Sequence, residues 1–138
     1  MPRSRSGPRK RGAATSSDTD STGWQGRVRV WVVVDGHNVL GPGKARILQA
    51  IDQTKSLSAA AKQLRMSYRL AWKHLRLIEE RTGSAVVEPR RGGKAGGGTD
   101  LTPEGRRLLE AYARFHDEVE QHVQDSCKRH FGRWQARK

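Results

Sequence analysis

The sequence of 138 residues predicts a mainly α-helical fold with a small β component, and three observations carry that expectation. Apolar residues recur at helical spacing through 44–54, 67–81 and 103–126. A β-branched run at 27–34 ends in Asp35-Gly36, a tight-turn signal. A glycine-rich stretch, 89–100, lies between two short strand-like segments. Together they predict an N-terminal β-hairpin, a winged helix-turn-helix and a long C-terminal helix suited to dimerisation.

Each element follows from its residues. In the run 27–34, Val28, Val30, Val32 and Val34 share one face, and Arg27, Arg29, Trp31 and Val33 share the other. After the turn, His37-Asn38-Val39-Leu40 forms the return, and Gly41-Pro42-Gly43 breaks the chain. Ile47, Leu48 and Ile51 give the first helix, 44–54, one apolar face. Ser56 or Ser58 caps a short second helix, 59–64, in which Ala59, Ala60 and Ala61 let a neighbouring helix come close. Arg65-Met66 turns the chain, Ser67 caps a third helix to about residue 81, and Thr82-Gly83 ends it. A strand is expected at 85–88, with a short return at Leu101. Thr102 as N-cap, Pro103 at the first helical position and Glu104 in the first turn start the last helix. It is expected to run to about Ser126. Its apolar positions, Leu108, Tyr112, Phe115, Val119 and Val123 or its neighbour His122, step by fours and threes as a heptad seam does.

Lys and Arg number 27 against 14 Asp and Glu, a net charge of +13, which favours polyanionic partners. The surplus is concentrated. Residues 62–94 hold nine basic and three acidic side chains, and residues 128–138 hold five basic and none acidic. Residues 1–22 combine five basic residues with Ser, Gly and Pro and too little apolar bulk to order themselves. This gives a disordered basic tail at 1–22, a DNA-binding domain at 23–126 with its dimer helix from about 103, and a frayed basic tail at 127–138 in which Phe131 and Trp134 are candidate anchors. Two readings of the first tail stand: a basic arm tracking phosphates, and a solvated extension. No apolar run approaches a membrane span, no signal-peptide pattern is present, and the single Cys127 excludes an internal disulfide and a Cys-based zinc site. A reduced cytoplasmic setting is expected.

The third helix carries the function-bearing face. Ala71, Leu75 and Ile78 form its core side. Tyr68, Arg69, Trp72, Lys73 and Arg76, with Ser67 at the helix start, form the other, and no acidic residue occurs from Tyr68 to Leu77. In a helix-turn-helix this second motif helix enters the major groove. Arg69 suits bidentate contact with guanine, and Lys73 and Arg76 suit guanine or phosphate. For Trp72, a DNA-facing role and packing against the first helix are both open. The glycine-rich stretch does not fit a phosphate-binding loop, because Lys94 is followed by Ala95 and no helix begins there. It fits a wing: Gly92, Gly93, Gly96, Gly97 and Gly98 let the backbone approach the duplex, and Arg90, Arg91 and Lys94 supply charge.

These residues resemble a known family. Leu40-Gly41-Pro42-Gly43-Lys44, Ser56-Leu57-Ser58-Ala59-Ala60-Ala61, Met66-Ser67-Tyr68-Arg69-Leu70-Ala71-Trp72, the glycines of 92–98 and Leu101-Thr102-Pro103-Glu104-Gly105 are similar to the N-terminal domain of the molybdate-responsive ModE-type regulators. LysR-type DNA-binding domains are similar more distantly, across 46–105. The resemblance implies a dimeric winged-helix DNA-binder. It places Ser67, Tyr68, Arg69, Trp72 and Lys73 in the recognition helix, 90–98 in the wing, and pairing through the last helix. Members of that family carry oxyanion-binding domains after the dimer helix. The sequence ends soon after it, so no cofactor is expected within this chain, and any molybdate sensor is expected on a separate one.

The five histidines are scattered, and His116 and His122 are six apart on the last helix, off a shared face. No nucleophile-base set is recognisable, so catalysis is not expected, and Cys127 reads as a plain thiol. The sequence therefore predicts a sequence-specific transcription regulator that binds double-stranded DNA as a homodimer. The alternatives are a non-specific architectural nucleic-acid-binding protein and a partner-binding subunit of a molybdenum-responsive system.

Overall fold

A computed structural model describes residues 23–90 and 98–134. Its order is β1 (Val32–Val34), β2 (His37–Leu40), α1 (Pro42–Thr54), α2 (Leu57–Gln63), α3 (Tyr68–Thr82), β3 (Val87–Pro89), β4 (Thr99–Leu101) and α4 (Pro103–Phe131). The chain divides into two compact units, one spanning Val28–Glu120 and the other combining Met1–Arg27 with Gln121–Lys138. The helix α4 runs from one into the other.

In the larger unit, α1, α2 and α3 close around one core. The apolar face expected for the first helix is buried: Ile47, Leu48 and Ile51 are all but inaccessible, with Ala45 and Ala50 beside them. Leu57, Ala60 and Ala61 of α2, Ala71, Leu75 and Ile78 of α3, and Val86 complete the packing. Alanine at 60 and 61 matters because a methyl group is all the space between α2 and its neighbours holds. Ser56 and Ser67 cap α2 and α3, their hydroxyl oxygens each accepting a 3.0 Å hydrogen bond, from the Ala59 and Leu70 amides respectively. Between these helices Arg65 takes a left-handed conformation, φ 57°. The Arg65 amide donates to the Lys62 carbonyl and the Met66 amide to the Ala61 carbonyl, so the carbonyls at the end of α2 are satisfied within the turn. That turn fixes the angle between α2 and α3.

Where the structure departs from the expected elements, tertiary contacts give the reason. The strand expected at 27–34 pairs only over Val32–Val34, and the register shifts between Val32 and Val33. Upstream, no strand among the described residues pairs with it, and the Val30 carbonyl accepts the Tyr112 hydroxyl at 2.9 Å instead. Val28, Val30 and Val32 are half-buried as the alternation predicts, whereas Val34 is exposed beyond the shift. The helix α1 starts two residues early, with Pro42 in its first turn. The helix α2 covers 57–63 rather than 59–64, because Ser56 is its cap. The strand expected at 85–88 is displaced to Val87–Pro89, since the Val86 amide is taken by the Glu79 carboxylate at 2.8 Å. The helix α4 continues to Phe131, so residues 127–131 are helical rather than frayed.

The start of α4 is fastened to the chain before β3. The Thr102 hydroxyl accepts from the Gly105 amide at 2.9 Å and donates to the Ala85 carbonyl at 2.7 Å. The Thr102 amide donates to the Val86 carbonyl at 3.0 Å. Gly105 is pressed against the same peptide: a Cβ there would lie 2.2 Å from the Val86 oxygen.

In the smaller unit, the segment 24–27 runs beside the last turns of α4. The Gln124 side-chain amide donates to the Gly26 carbonyl and accepts from the Gly26 amide. Trp24 stacks on Phe131 with ring centroids 5.9 Å apart, and its indole N–H donates to the Trp134 carbonyl at 2.8 Å. Phe131 and Trp134 anchor this end, as the sequence suggested. The tail at 1–22 lies outside the described residues.

Candidate nucleic-acid interface

The helix α3 separates its two faces as its sequence demands. Ala71, Leu75 and Ile78 are completely buried. Ser67, Tyr68, Arg69, Trp72, Lys73 and Arg76 are all exposed. Tyr68 is 57% accessible and Trp72 40%, so neither belongs to the buried core. The Ser67 cap holds the first turn, which is where Tyr68 and Arg69 project. Leu70, also exposed at 42%, adds an apolar side chain that was not among the expected site residues.

The electrostatics of this face extend beyond α3. His74, on the flank of α3 next to its core side, is half-buried, and its buried Nδ1 has no hydrogen-bond partner among the described residues. Burial holds the His74 imidazole below the ordinary histidine value, and the positive charges of Lys44 and Lys73 act in the same direction. Lys44, from the first turn of α1, is thereby brought near α3 at His74. The motif Gly41-Pro42-Gly43-Lys44 signalled a chain break and helix start, but only folding brings Lys44 to α3.

Beside α1, β3 and β4 form the stem of the wing. They pair antiparallel, with Val87 opposite Leu101 and Pro89 opposite Thr99. Lys55, left-handed at φ 59°, caps α1, and its carbonyl accepts the Thr99 amide at 3.0 Å. Gly98 passes so close to this carbonyl that a Cβ would lie 2.4 Å from it. The Arg90 amide donates to the Gly98 carbonyl at 3.0 Å. An ion network fixes the same corner. Arg106 contacts Asp52 at 2.8 Å, Lys55 lies 3.5 Å from Asp52 and 3.9 Å from Asp100, and Arg90 reaches Asp100 at 3.4 Å. The Arg106 hydrogen bond, aided by the charge of Lys55, holds the Asp52 carboxyl below the usual carboxylate range. This network was not legible in the sequence, where Asp52 and Arg106 stand 54 residues apart.

Of the expected wing residues, Arg90 and Gly98 are described, and Arg90 is partly engaged by Asp100. Arg91, Gly92, Gly93, Lys94, Gly96 and Gly97 lie outside the described residues. Among the expected seam positions of α4, Phe115 is exposed and Val119 half-exposed. Tyr112 is 6% accessible and belongs to the core of its own chain, because its ring packs there and its hydroxyl reaches Val30. Leu108 packs partly against the same core. Tyr112 is thus part of its own chain's core, and Leu108 is partly so. Val123, in the smaller unit, is covered in part by Gly26.

Among the described residues, His116, Asp117 and Glu120 are the group whose ligand atoms, all within 4.8 Å of one another, could hold a metal ion. They are not near α3 in sequence, and two of the three are exposed. No helix among the described residues is long and apolar enough to cross a membrane.

Comparison with known proteins adds the following. Residues 43–106 match the model of the bacterial regulatory helix-turn-helix protein, lysR family. The molybdenum-pterin-binding protein MopB of Rhodobacter capsulatus is 41% identical over 73 residues, which are 53% of this chain and 27% of that protein. The transcriptional regulator ModE of Haemophilus influenzae is 40% identical over 73 residues, covering 53% of this chain and 29% of that protein. The DNA-binding transcriptional dual regulator ModE of Escherichia coli (strain K12) is 35% identical over 71 residues, covering 51% and 27%. The matched part thus spans under a third of the length of each of these relatives. A solved structure, the BenM_DBD/benA site 1 DNA complex, aligns with a TM-score of 0.46 at 23% identity, covering 59% of this chain and 88% of that one.

Proposed function

Residues 43–106 carry the lysR-family helix-turn-helix domain, and from that premise we propose that this chain is a sequence-specific transcription regulator of the ModE-like type that reads double-stranded DNA as a homodimer. The observation that carries the reading is the outer face of α3. It presents Arg69, Lys73 and Arg76 to solvent with no acidic side chain from Tyr68 to Leu77, over a core face that is completely buried. A helix so held can enter a major groove without disturbing the fold. Arg69 reads guanine, Tyr68 and Leu70 meet thymine methyls and sugar edges, and Lys73, Arg76 and Lys44 hold phosphates.

The wing follows from the same geometry. Its stem is bonded to the end of α1, which sets Arg90 and Gly98 beside the helix-turn-helix, and the charge there suits contact with the flanking backbone. Two copies pairing through Phe115 and Val119 of α4 place two recognition helices about one duplex turn apart, on a roughly palindromic site. Homologues named as ModE regulators of transcription support the reading, as does a charge of +13. The net charge supplies salt-sensitive affinity for any duplex, and α3 supplies the choice of site.

The test is selection of genomic DNA fragments by the full chain at about 150 mM salt, where non-specific phosphate binding is weakened. Recovery of an inverted repeat is expected, with recovery lost on Arg69→Ala. Truncating a bidentate contact of this kind costs about 1–3 kcal/mol at the base it reads. Equal recovery of all fragments would make the protein an architectural binder and overturn the proposal.

A further inference from the structure

The smaller unit contains a groove that the DNA-binding reading does not use. It lies between the segment 24–27 and the C-terminal turns of α4, and its volume is about 490 Å³. That falls within the range of roughly 300–1,000 Å³ usual for small-molecule sites. Its apolar wall is made by Trp24, Val123, Cys127 and Phe131. Arg27 stands exposed at its rim, and two imidazoles, His122 and His130, line it as well. None of its lining residues is acidic.

The walls are held in place by directed contacts. Gln124 fastens Gly26 by both of its backbone groups. Gly26 sits so close to α4 that a Cβ would lie 2.6 Å from Val123 Cγ1 and 3.2 Å from Cys127 Cβ. Trp24 is fixed by stacking on Phe131 and by its hydrogen bond to the Trp134 carbonyl. Two aromatic rings held in this way offer flat faces and edges that need no reordering to receive a planar guest. A guanidinium at the rim, with no carboxylate among the lining residues to compete for it, selects for negative charge.

We propose that this groove is a binding site for a small aromatic anion, its ring lying against Trp24 and Phe131 and its acidic group meeting Arg27. The ligand class is set by two features together: the apolar aromatic wall demands a flat hydrophobic body, and the one-signed polar rim demands an anionic end.

The experiment titrates the full chain by calorimetry with 2-naphthoate and with its uncharged analogue 2-naphthamide, and follows tryptophan fluorescence in parallel. One saturable site per chain is expected, with naphthoate bound at least about tenfold more tightly than the amide. Arg27→Gln, a rim change, is expected to bring naphthoate down to the amide's affinity with an unchanged circular dichroism spectrum. Ser126→Phe, which fills the groove, is expected to abolish binding of both. Equal affinity for the two compounds, absence of saturable binding, or indifference to both variants overturns the proposal. So does a dimer that takes up neither compound and weakens on Ser126→Phe, which would assign the groove to a second copy of the chain.

Discussion

At Gly105 any side chain meets backbone, because the nearest atom to an added Cβ is the Val86 carbonyl oxygen at 2.2 Å. Neither can give way cheaply: Val86 is completely buried, and its carbonyl accepts the Thr102 amide. Gly105→Ala is therefore expected to destabilise the chain by about 1–3 kcal/mol, read as a lower urea midpoint. His74 makes a different prediction. Its folded-state value lies below the ordinary 6.5, chiefly through burial. As pH falls, the unfolded chain takes up this proton before the folded chain does. The stability linked to His74 is thus complete above its ordinary value and is lost at lower pH. Asp52, lowered from 3.8 by Arg106, acts in the same direction further into acid. His74→Gln is expected to remove the first decline in melting temperature below about pH 6.5 and to leave the second.

At the scale of the element, α3 is an amphipathic helix whose exposed face is the one proposed to read DNA. Its start depends on one hydroxyl. Ser67→Ala removes the acceptor for the Leu70 amide and is expected to cost about 1 kcal/mol. The loss falls on the turn that carries Tyr68 and Arg69. Affinity for a selected site should therefore fall more than affinity for random duplex, compared by anisotropy at one salt concentration. The wing stem is an element whose position is borrowed. Three residues per strand hold little by themselves, and the bond from Thr99 to Lys55, together with the Asp52 and Asp100 ion network, fixes it to α1.

For the whole molecule, the proposed association rests on the charge of +13 and on the exposed part of α4. Phe115 is 42% accessible and Val119 partly so, while Tyr112 and Leu108 are committed to the chain's own core. The proposed pairing through α4 would therefore rest on the middle of the helix rather than on its whole heptad seam. Phe115→Glu is expected to leave the helical spectrum unchanged and to yield monomers in sedimentation equilibrium, because two like charges would face each other across the pairing axis. Binding to a two-half-site duplex should fall with it, while binding to a half-site should not.

The sequence by itself determined the helices of the larger unit, the caps at Ser67 and Thr102, the buried faces and the acid-free outer side of α3, and it narrowed the cap of α2 to Ser56 or Ser58. All of these are local: a period of 3.6, a hydroxyl beside a helix start, a run of side chains of one sign. It also marked Gly41–Lys44 and Gly105 without showing what each meets. Strand boundaries were less legible, because three-residue strands end where a tertiary partner takes their hydrogen bonds, as Glu79 does for Val86 and Tyr112 for Val30. The sequence could not assign Tyr112, since heptad spacing is the same whether a side chain faces a second copy or its own core. Only the tertiary structure decided that, along with the approach of Lys44 to His74, the ion network around Asp52 and the groove closed by Trp24. Each joins residues far apart in the chain, and no local pattern records which distant atoms will fill the space beside them.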